Sequence, residues 1–255
     1  MYPYISVFGR QIGTYGVCMA AAVLLAAFLA CLRAKKQGMQ FEDVIIVGAT
    51  ALGFALLGGG LLYIFVTYSL GEILAMIKAG QFGFLGGGIV FYGGLIGGIV
   101  GAFLGVRIAK CKFSQIENCV VPYIPLGHAI GRVGCLLAGC CHGFAYDGPL
   151  AIHYPHSIMG LSPEQGYFPT PLLESVLNLG IFAYLLHCRK KECRKFELLI
   201  RYLGCYAVVR FILEFFRGDS VRGALWFLST SQWISLGILA VAGIYLIIAK
   251  KTAKR

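Results

Sequence analysis

Charge is what this chain has least of. Asp, Glu, Lys and Arg make up 13% of its 255 residues, while 58% are hydrophobic. A soluble domain carries about 25% charged residues. The scarcity argues against an ordinary soluble globule. No long polar stretch interrupts the chain, so no separate soluble domain is expected. The apolar runs are long enough to span a bilayer as helices, which sets barrel strands aside. The opening residues, MYPYISVFGRQIGTYG, lack the basic n-region and small-residue cleavage site of a signal peptide. The first span is therefore expected to be retained. No C-x-x-C pair occurs among the ten cysteines, which argues against a dithiol redox motif. A secreted disulfide pattern is also missing. Cys18, Cys31, Cys119 and Cys205 lie in or near apolar runs, where cysteine behaves as a small hydrophobe.

What is present is a run of apolar segments at roughly 13–32, 44–66, 88–109, 119–139, 172–187, 198–216 and 231–248. Hydropathy predicts an all-α polytopic membrane protein of about seven spans in a single domain over 1–255. The fourth segment contains Pro122, Pro125 and Arg132, and the fifth is short. Between the second and third, YSLGEILAMIKAGQFGFLGGG reads as a short amphipathic helix at the interface.

The net charge is +11, and its distribution speaks against nucleic acid. With the N-terminus outside, the inner loops and tail carry Arg33, Lys35, Lys36, Arg107, Lys110, Lys112, Arg189, Lys190, Lys191, Arg194, Lys195, Lys250, Lys251, Lys254 and Arg255. The outer side carries Arg10, Lys78, Arg217 and Arg222. An excess of this sign predicts a cytoplasmic C-terminus and contact with anionic lipid heads. The outer loop at about 140–171 has no Lys or Arg and is long enough to be functional.

Charges left inside apolar segments are costly and usually functional. Arg132 sits in GRVGCLLAGCCHG (131–143), and RFILEFFRGD (210–219) holds Arg210, Glu214 and Arg217. Two buried guanidinium groups point to an anion, and in a membrane the commonest one is a lipid phosphate. Gly93, Gly97, Gly101 and Gly105 recur every four residues, a spacing that lets helix backbones approach closely. Tyr92 precedes them at a position suited to an aromatic belt, where the neighbouring glycines would leave room for a substrate chain. The spacing of Cys135, Cys140, Cys141 and His142 does not fit the usual zinc patterns, so no metal is expected. His128 reads as a hydrogen-bonded core residue, and His153 and His156 as solvated loop residues.

Six blocks in one order carry a resemblance: TYG (14–16), YGGLIGG (92–98), GRVGCLLAGCCHG (131–143), FPTPLLES (168–175), RFILEFFRGD (210–219) and SQWISL (231–236). Together they resemble the prolipoprotein diacylglyceryl transferases of bacterial inner membranes. The resemblance implies transfer of a diacylglyceryl group from phosphatidylglycerol, or a similar anionic phospholipid, to the lipobox cysteine thiol of a prolipoprotein. A thioether forms, glycerol 1-phosphate leaves, and no cofactor is needed. It implies that Arg132 and Arg210 hold the phosphate, with Glu214 and Glu174 orienting Arg210 or Arg217. It also places Tyr15, Gly93, Gly94, Gly97, Gly98, Cys135, Cys140 and Arg217 around the substrates. The family's HGGLIGG has Tyr92 in place of its histidine. Its signature asparagines are Cys135 and Ala138, and its glutamate is Cys140. His142 or a water then becomes the candidate to take the thiol proton. Two other readings of the same scaffold are a lipid-headgroup transferase with a cysteine nucleophile and a lipid-binding or transport protein.

Overall fold

The computed structural model describes residues 2–7, 9–83, 88, 90–189, 196–218, 224–225 and 227–253, with side chains omitted at 7, 91, 224, 225, 250, 252 and 253. Of the charges counted above, Lys190, Lys191, Arg194, Lys195, Arg222, Lys254 and Arg255 lie outside the described residues. The chain is mostly helical: α1 (Thr14–Lys36), α2 (Phe41–Thr67), α3 (Leu70–Lys78), α4 (Phe91–Ile108), α5 (Phe113–Val120), α6 (Ile124–Ala138), α7 (Thr170–Cys188), α8 (Glu197–Leu213) and α9 (Thr230–Ala253). Three two-stranded antiparallel hairpins are added to this: β1 (Tyr4–Val7) with β2 (Arg10–Gly13), β3 (Ile152–His153) with β4 (Gly166–Tyr167), and β5 (Ala224–Leu225) with β6 (Leu228–Ser229).

Five helical stretches are long and apolar enough to cross a membrane: α1, α2, the stretch 113–138, α7 and α9. Their outward faces keep large apolar residues exposed, such as Leu56, Leu57, Leu61 and Phe65 on α2. A helix that is apolar on every side has a bilayer, not water, as its natural solvent. Each predicted apolar segment contains a helix, and the limits differ by up to a turn or two. The expected span at 119–139 is not one straight helix. A 3-10 turn at Val121–Tyr123 separates α5 from α6, because Pro122 and Pro125 lack the N–H that would continue the ladder.

The chain divides into two compact units, 1–29 with 117–255, and 30–116. In the second, α2 and α4 pack through the glycine stripe. A Cβ on Gly93 would strike the Gly58 carbonyl and come within 2.7 Å of Leu62 Cβ. One on Gly97 would strike the Phe54 carbonyl. One on Gly101 would strike the Thr50 carbonyl and come within 2.9 Å of Ala51 Cα. Of the glycine pair beside Tyr92 expected to leave room for a substrate chain, Gly93 faces α2 backbone on its Cβ side, while at Gly94 a Cβ would meet only the Ala55 carbonyl at 3.4 Å. Gly101→Val is expected to cost about 1–3 kcal/mol through overpacking. Gly237→Val, where a Cβ meets nothing within 4 Å, is the control. Thermal unfolding of the detergent-solubilised protein reads the difference. The amphipathic helix expected after α2 is α3, which Ser69 and Glu72 open with a reciprocal capping box. The Ser69 backbone N–H and then its hydroxyl hold the Glu72 carboxyl below its usual range.

In the first unit, Val121, Ile181, Leu185, Leu198 and Tyr202 form the buried core where α6, α7 and α8 meet. Helix α1 lies close on α6 at Gly134, where a Cβ would sit 2.9 Å from Cys18 Cβ. Ser175 on α7 donates to the Ala129 carbonyl of α6 at 2.9 Å. The N-terminus of α8 is satisfied from a distance: buried Glu117 accepts from the backbone N–H groups of Phe196 (2.7 Å) and Leu199 (3.0 Å). A carboxylate there meets the orphan donors and the positive end of the helix dipole together.

Candidate functional site

Helix α6 is stopped by Gly139, whose φ of 71° gives the left-handed C-terminal turn that glycine adopts at little cost. Arg132 projects from the helix two turns earlier. Its Nη2 lies 3.0 Å from Glu174 Oε1, on the second turn of α7. Glu174 is only 1% exposed, and its Oε1 also accepts the Tyr206 hydroxyl of α8 at 3.3 Å. Asn178 donates to the Glu174 backbone carbonyl at 2.8 Å and steadies that turn. Sequence reading assigned Glu174 to Arg210 or Arg217; its ion pair is with Arg132. The packing of α6 against α7 decides this, and that is tertiary information.

Arg210 lies at the end of α8, with Nη2 2.6 Å from Glu214 Oε2 and 3.3 Å from the Ser231 hydroxyl on α9. It is 9% exposed, and its Nη1 is buried with no hydrogen-bond partner among the described residues. The pair expected at four-residue spacing is therefore formed. Both Arg132 and Arg210 lie in the field of the Glu174 carboxylate and the Tyr206 phenol; Arg132 is in ion-pair contact with that acid, and Arg210 with Glu214. Arg217 adds a third cation, acting on Arg210 and on Cys141.

The stretch after α6 is clamped at both edges. Gly143 donates its N–H to the Phe168 carbonyl at 3.1 Å, Phe144 to Phe216 at 3.2 Å, and Gly218 to the His142 carbonyl at 3.3 Å. Thr170, in the first turn of α7, donates its hydroxyl to the same Phe216 carbonyl at 3.2 Å. Phe168 stacks on Phe144 and Phe216, and Tyr146 meets Phe144 and Phe168 edge-on. Arg217 is thereby held antiparallel to Gly143. His142 Nδ1 is 2.8 Å from the Gly143 carbonyl, and since a carbonyl only accepts, the bond puts the hydrogen on Nδ1 and leaves Nε2 as the accepting nitrogen. Farther along, burial pushes the Tyr154 hydroxyl up to about 12, which keeps that phenol neutral.

The first unit thus brings together Arg132, Glu174, Arg210, Glu214 and Arg217. Tyr15 joins them from the first turn of α1. A Cβ on Gly134 would lie 3.3 Å from Tyr15 Cδ2, and the phenol feels Arg132 and the thiols of Cys135, Cys140 and Cys141. Tyr92, Gly93, Gly94, Gly97 and Gly98 belong to the second unit. Tyr92 is half-exposed in the first turn of α4, and Gly94 and Gly98 run along Ala55 of α2. His128 is hydrogen-bonded to Tyr202 at 3.0 Å, in line with a core residue, and His153 and His156 are exposed. Sequence reading missed Tyr206, Ser231 and Glu117. The first had a signal: Tyr202, Tyr206, Arg210 and Glu214 step by four residues and share one helix face.

Comparison with known proteins covers nearly the whole chain. Residues 3–249 match the profile of the family described as prolipoprotein diacylglyceryl transferase. A phosphatidylglycerol–prolipoprotein diacylglyceryl transferase 2 from Clostridium perfringens is 31% identical over 240 residues, 94% of this chain and 91% of the relative. The corresponding transferase of Clostridium tetani is 33% identical over 230 residues, 90% of each. That of Listeria monocytogenes (serovar 1/2a) is 32% identical over 246 residues, 93% of this chain and 85% of the relative. The chain belongs to the prolipoprotein diacylglyceryl transferase family.

Proposed function

We propose that the protein transfers the diacylglyceryl group of phosphatidylglycerol to the lipobox cysteine thiol of a prolipoprotein. The observation that carries the reading is a pair of arginines within the helices, Arg132 and Arg210, each anchored by its own carboxylate and both in the field of Glu174 and Tyr206. The donor is an anionic lipid, and a guanidinium fork matches phosphate oxygens with paired donors where an ammonium offers a point charge. The thiolate sulfur attacks the glyceryl carbon, the carbon–oxygen bond to phosphate breaks, and glycerol 1-phosphate departs with the electron pair. Arg132 and Arg210 neutralise the charge growing on the leaving phosphate, an effect strongest where water is excluded. Glu174 and Glu214 hold the two arginines in place. His142, with Nε2 as its accepting nitrogen, takes the thiol proton. The acceptor thiol is itself acidic enough to need only modest help.

The charge pattern supports seven spans in the bacterial inner membrane, with the N-terminus outside and the C-terminus cytoplasmic. On this reading α4, a shorter apolar helix, and α8 are the two spans beyond the five long ones. The test is purified protein with phosphatidylglycerol vesicles and a lipobox peptide, read by mass spectrometry. A thioether-linked diacylglyceryl peptide together with released glycerol phosphate is expected. Lipid binding with neither product would replace the transferase reading by that of a lipid-binding or transport protein.

Tyr92 stands at the position of the family histidine, and the resemblance alone assigns it to the reaction. A phenol of ordinary pKa near 10 is a poor base at neutral pH. Tyr92→Phe is therefore expected to lower kcat/KM by about tenfold at most, the effect of one lost hydrogen bond. A dead Tyr92→Phe enzyme in the same assay would show that the hydroxyl moves a proton.

A further inference from the structure

We propose that Cys135, Cys140 and Cys141 form a three-thiolate site for a soft monovalent metal ion, best matched by copper(I). The linear spacing C-x4-C-C argues against the common zinc patterns, and the fold removes that objection. The three sulfurs lie within 4.8 Å of one another. A metal–sulfur bond of about 2.3 Å would set them about 3.8–4.0 Å apart, so closure needs shifts of less than about 1 Å.

The chain reverses twice to make this cluster. Gly139 turns left-handed at the end of α6, in a space where a side chain would strike Ser157 (Cα at 2.9 Å). Cys141 is left-handed too, with φ of 58°, although it is not glycine. Such a conformation costs about 1–3 kcal/mol and is kept where surrounding structure or function holds it. Between the two, the Cys140 N–H returns to the Cys135 carbonyl at 3.1 Å, which folds both later thiols back over the last turn of α6.

Cationic side chains and a phenol border the cluster. Cys135 is buried and the other two are partly covered. Arg132 Nη1 is 4.0 Å from Cys135 Sγ, and both Arg132 and Arg217 act on Cys141. Three thiolates with a monovalent cation carry two negative charges, and the Arg132 guanidinium borders them on the Cys135 side. Tyr154, with a buried hydroxyl that has no partner among the described residues, lies within electrostatic range of all three sulfurs. Sulfur ligands select copper(I) by softness. A structural zinc ion would ask for a fourth ligand, and among the described residues no His, Asp or Glu joins the three sulfurs.

The full-length protein in detergent, reduced by a phosphine under nitrogen, is titrated with copper(I) against a competing chelator. One ion per chain is expected, with sulfur-to-copper charge-transfer absorbance. In the same sample, alkylation mapped by mass spectrometry should find Cys135, Cys140 and Cys141 protected, while Cys18 and Cys205 react as without metal. This readout uses the native chain and does not depend on any variant folding. Cys140→Ser and Cys141→Ser should each weaken binding by more than the ~100-fold that an outer-shell partner can cost. No stoichiometric binding, protection spread evenly over all cysteines, or binding of Zn²⁺ with copper(I) refused would each overturn the proposal.

Discussion

Arg132→Ala and Arg210→Ala should each cut diacylglyceryl transfer by about 10²–10³-fold or more, the loss seen when one preorganised charge-stabilising donor is removed. Both proteins should still be found in the membrane fraction. The expectation rests on geometry: each guanidinium is anchored by its own carboxylate, Arg132 at 3.0 Å and Arg210 at 2.6 Å, while both feel Glu174 and Tyr206. A carboxylate anchor spends only part of a guanidinium, which has five N–H donors. The remaining donors, including Nη1 of Arg210, which has no partner among the described residues, are available to phosphate oxygens. Arg→Lys at either position should recover only a fraction of the activity, because a point charge cannot donate two parallel bonds. The lipobox peptide assay decides it, and full activity in both alanine variants would remove the phosphate clamp from the mechanism.

Glu174→Ala should destabilise the protein by about 3–5 kcal/mol, the cost of leaving a buried partner charge uncompensated. Glu174 is the most buried acid of the site, it accepts from both Arg132 and Tyr206, and it sits where α6, α7 and α8 meet. Glu174→Gln retains an oxygen for the Tyr206 hydroxyl and should fold better than the alanine form. It should still lose activity, since Arg132 keeps its position but not its counter-charge. A double-mutant cycle of Glu174→Gln with Arg132→Ala, followed by thermal unfolding, should give a coupling of about 0.5–3 kcal/mol. Additive effects would mean that the 3.0 Å pair does not hold in the bilayer.

The helices were legible because hydropathy in a chain of this kind is nearly one-dimensional. Each apolar run contained a helix, and the prolines of the fourth run marked where α5 gives way to α6. The Arg210–Glu214 pair was legible for the same local reason, a four-residue spacing. The partner of Glu174 was not, since Arg132 is distant in sequence and only helix packing brings the two together. Glu117 was invisible for a similar reason: its carboxylate serves backbone N–H groups about 80 residues away, and backbone donors leave no mark in a sequence. The glycine stripe was read correctly as a means of close approach. Its use against α2 in particular came only with the coordinates. The cysteines of 135–141 were legible in the sequence, but the closeness of their sulfurs was not, because it depends on two left-handed residues and Cys141 is not a residue type that announces one.

Helix α8 carries Arg201 and Arg210 and is capped by Glu117, so the order in which the ribosome delivers the chain matters. An arginine at mid-membrane costs about 2.5–3.5 kcal/mol when a translocon inserts a lone helix. By the time α8 emerges, the carboxylates of Glu117 and Glu174 and the imidazole of His128 have already been synthesised and lie where α8 docks. Biogenesis can then proceed as templating, with the arginine-bearing helix α8 released onto polar partners laid down by its predecessors.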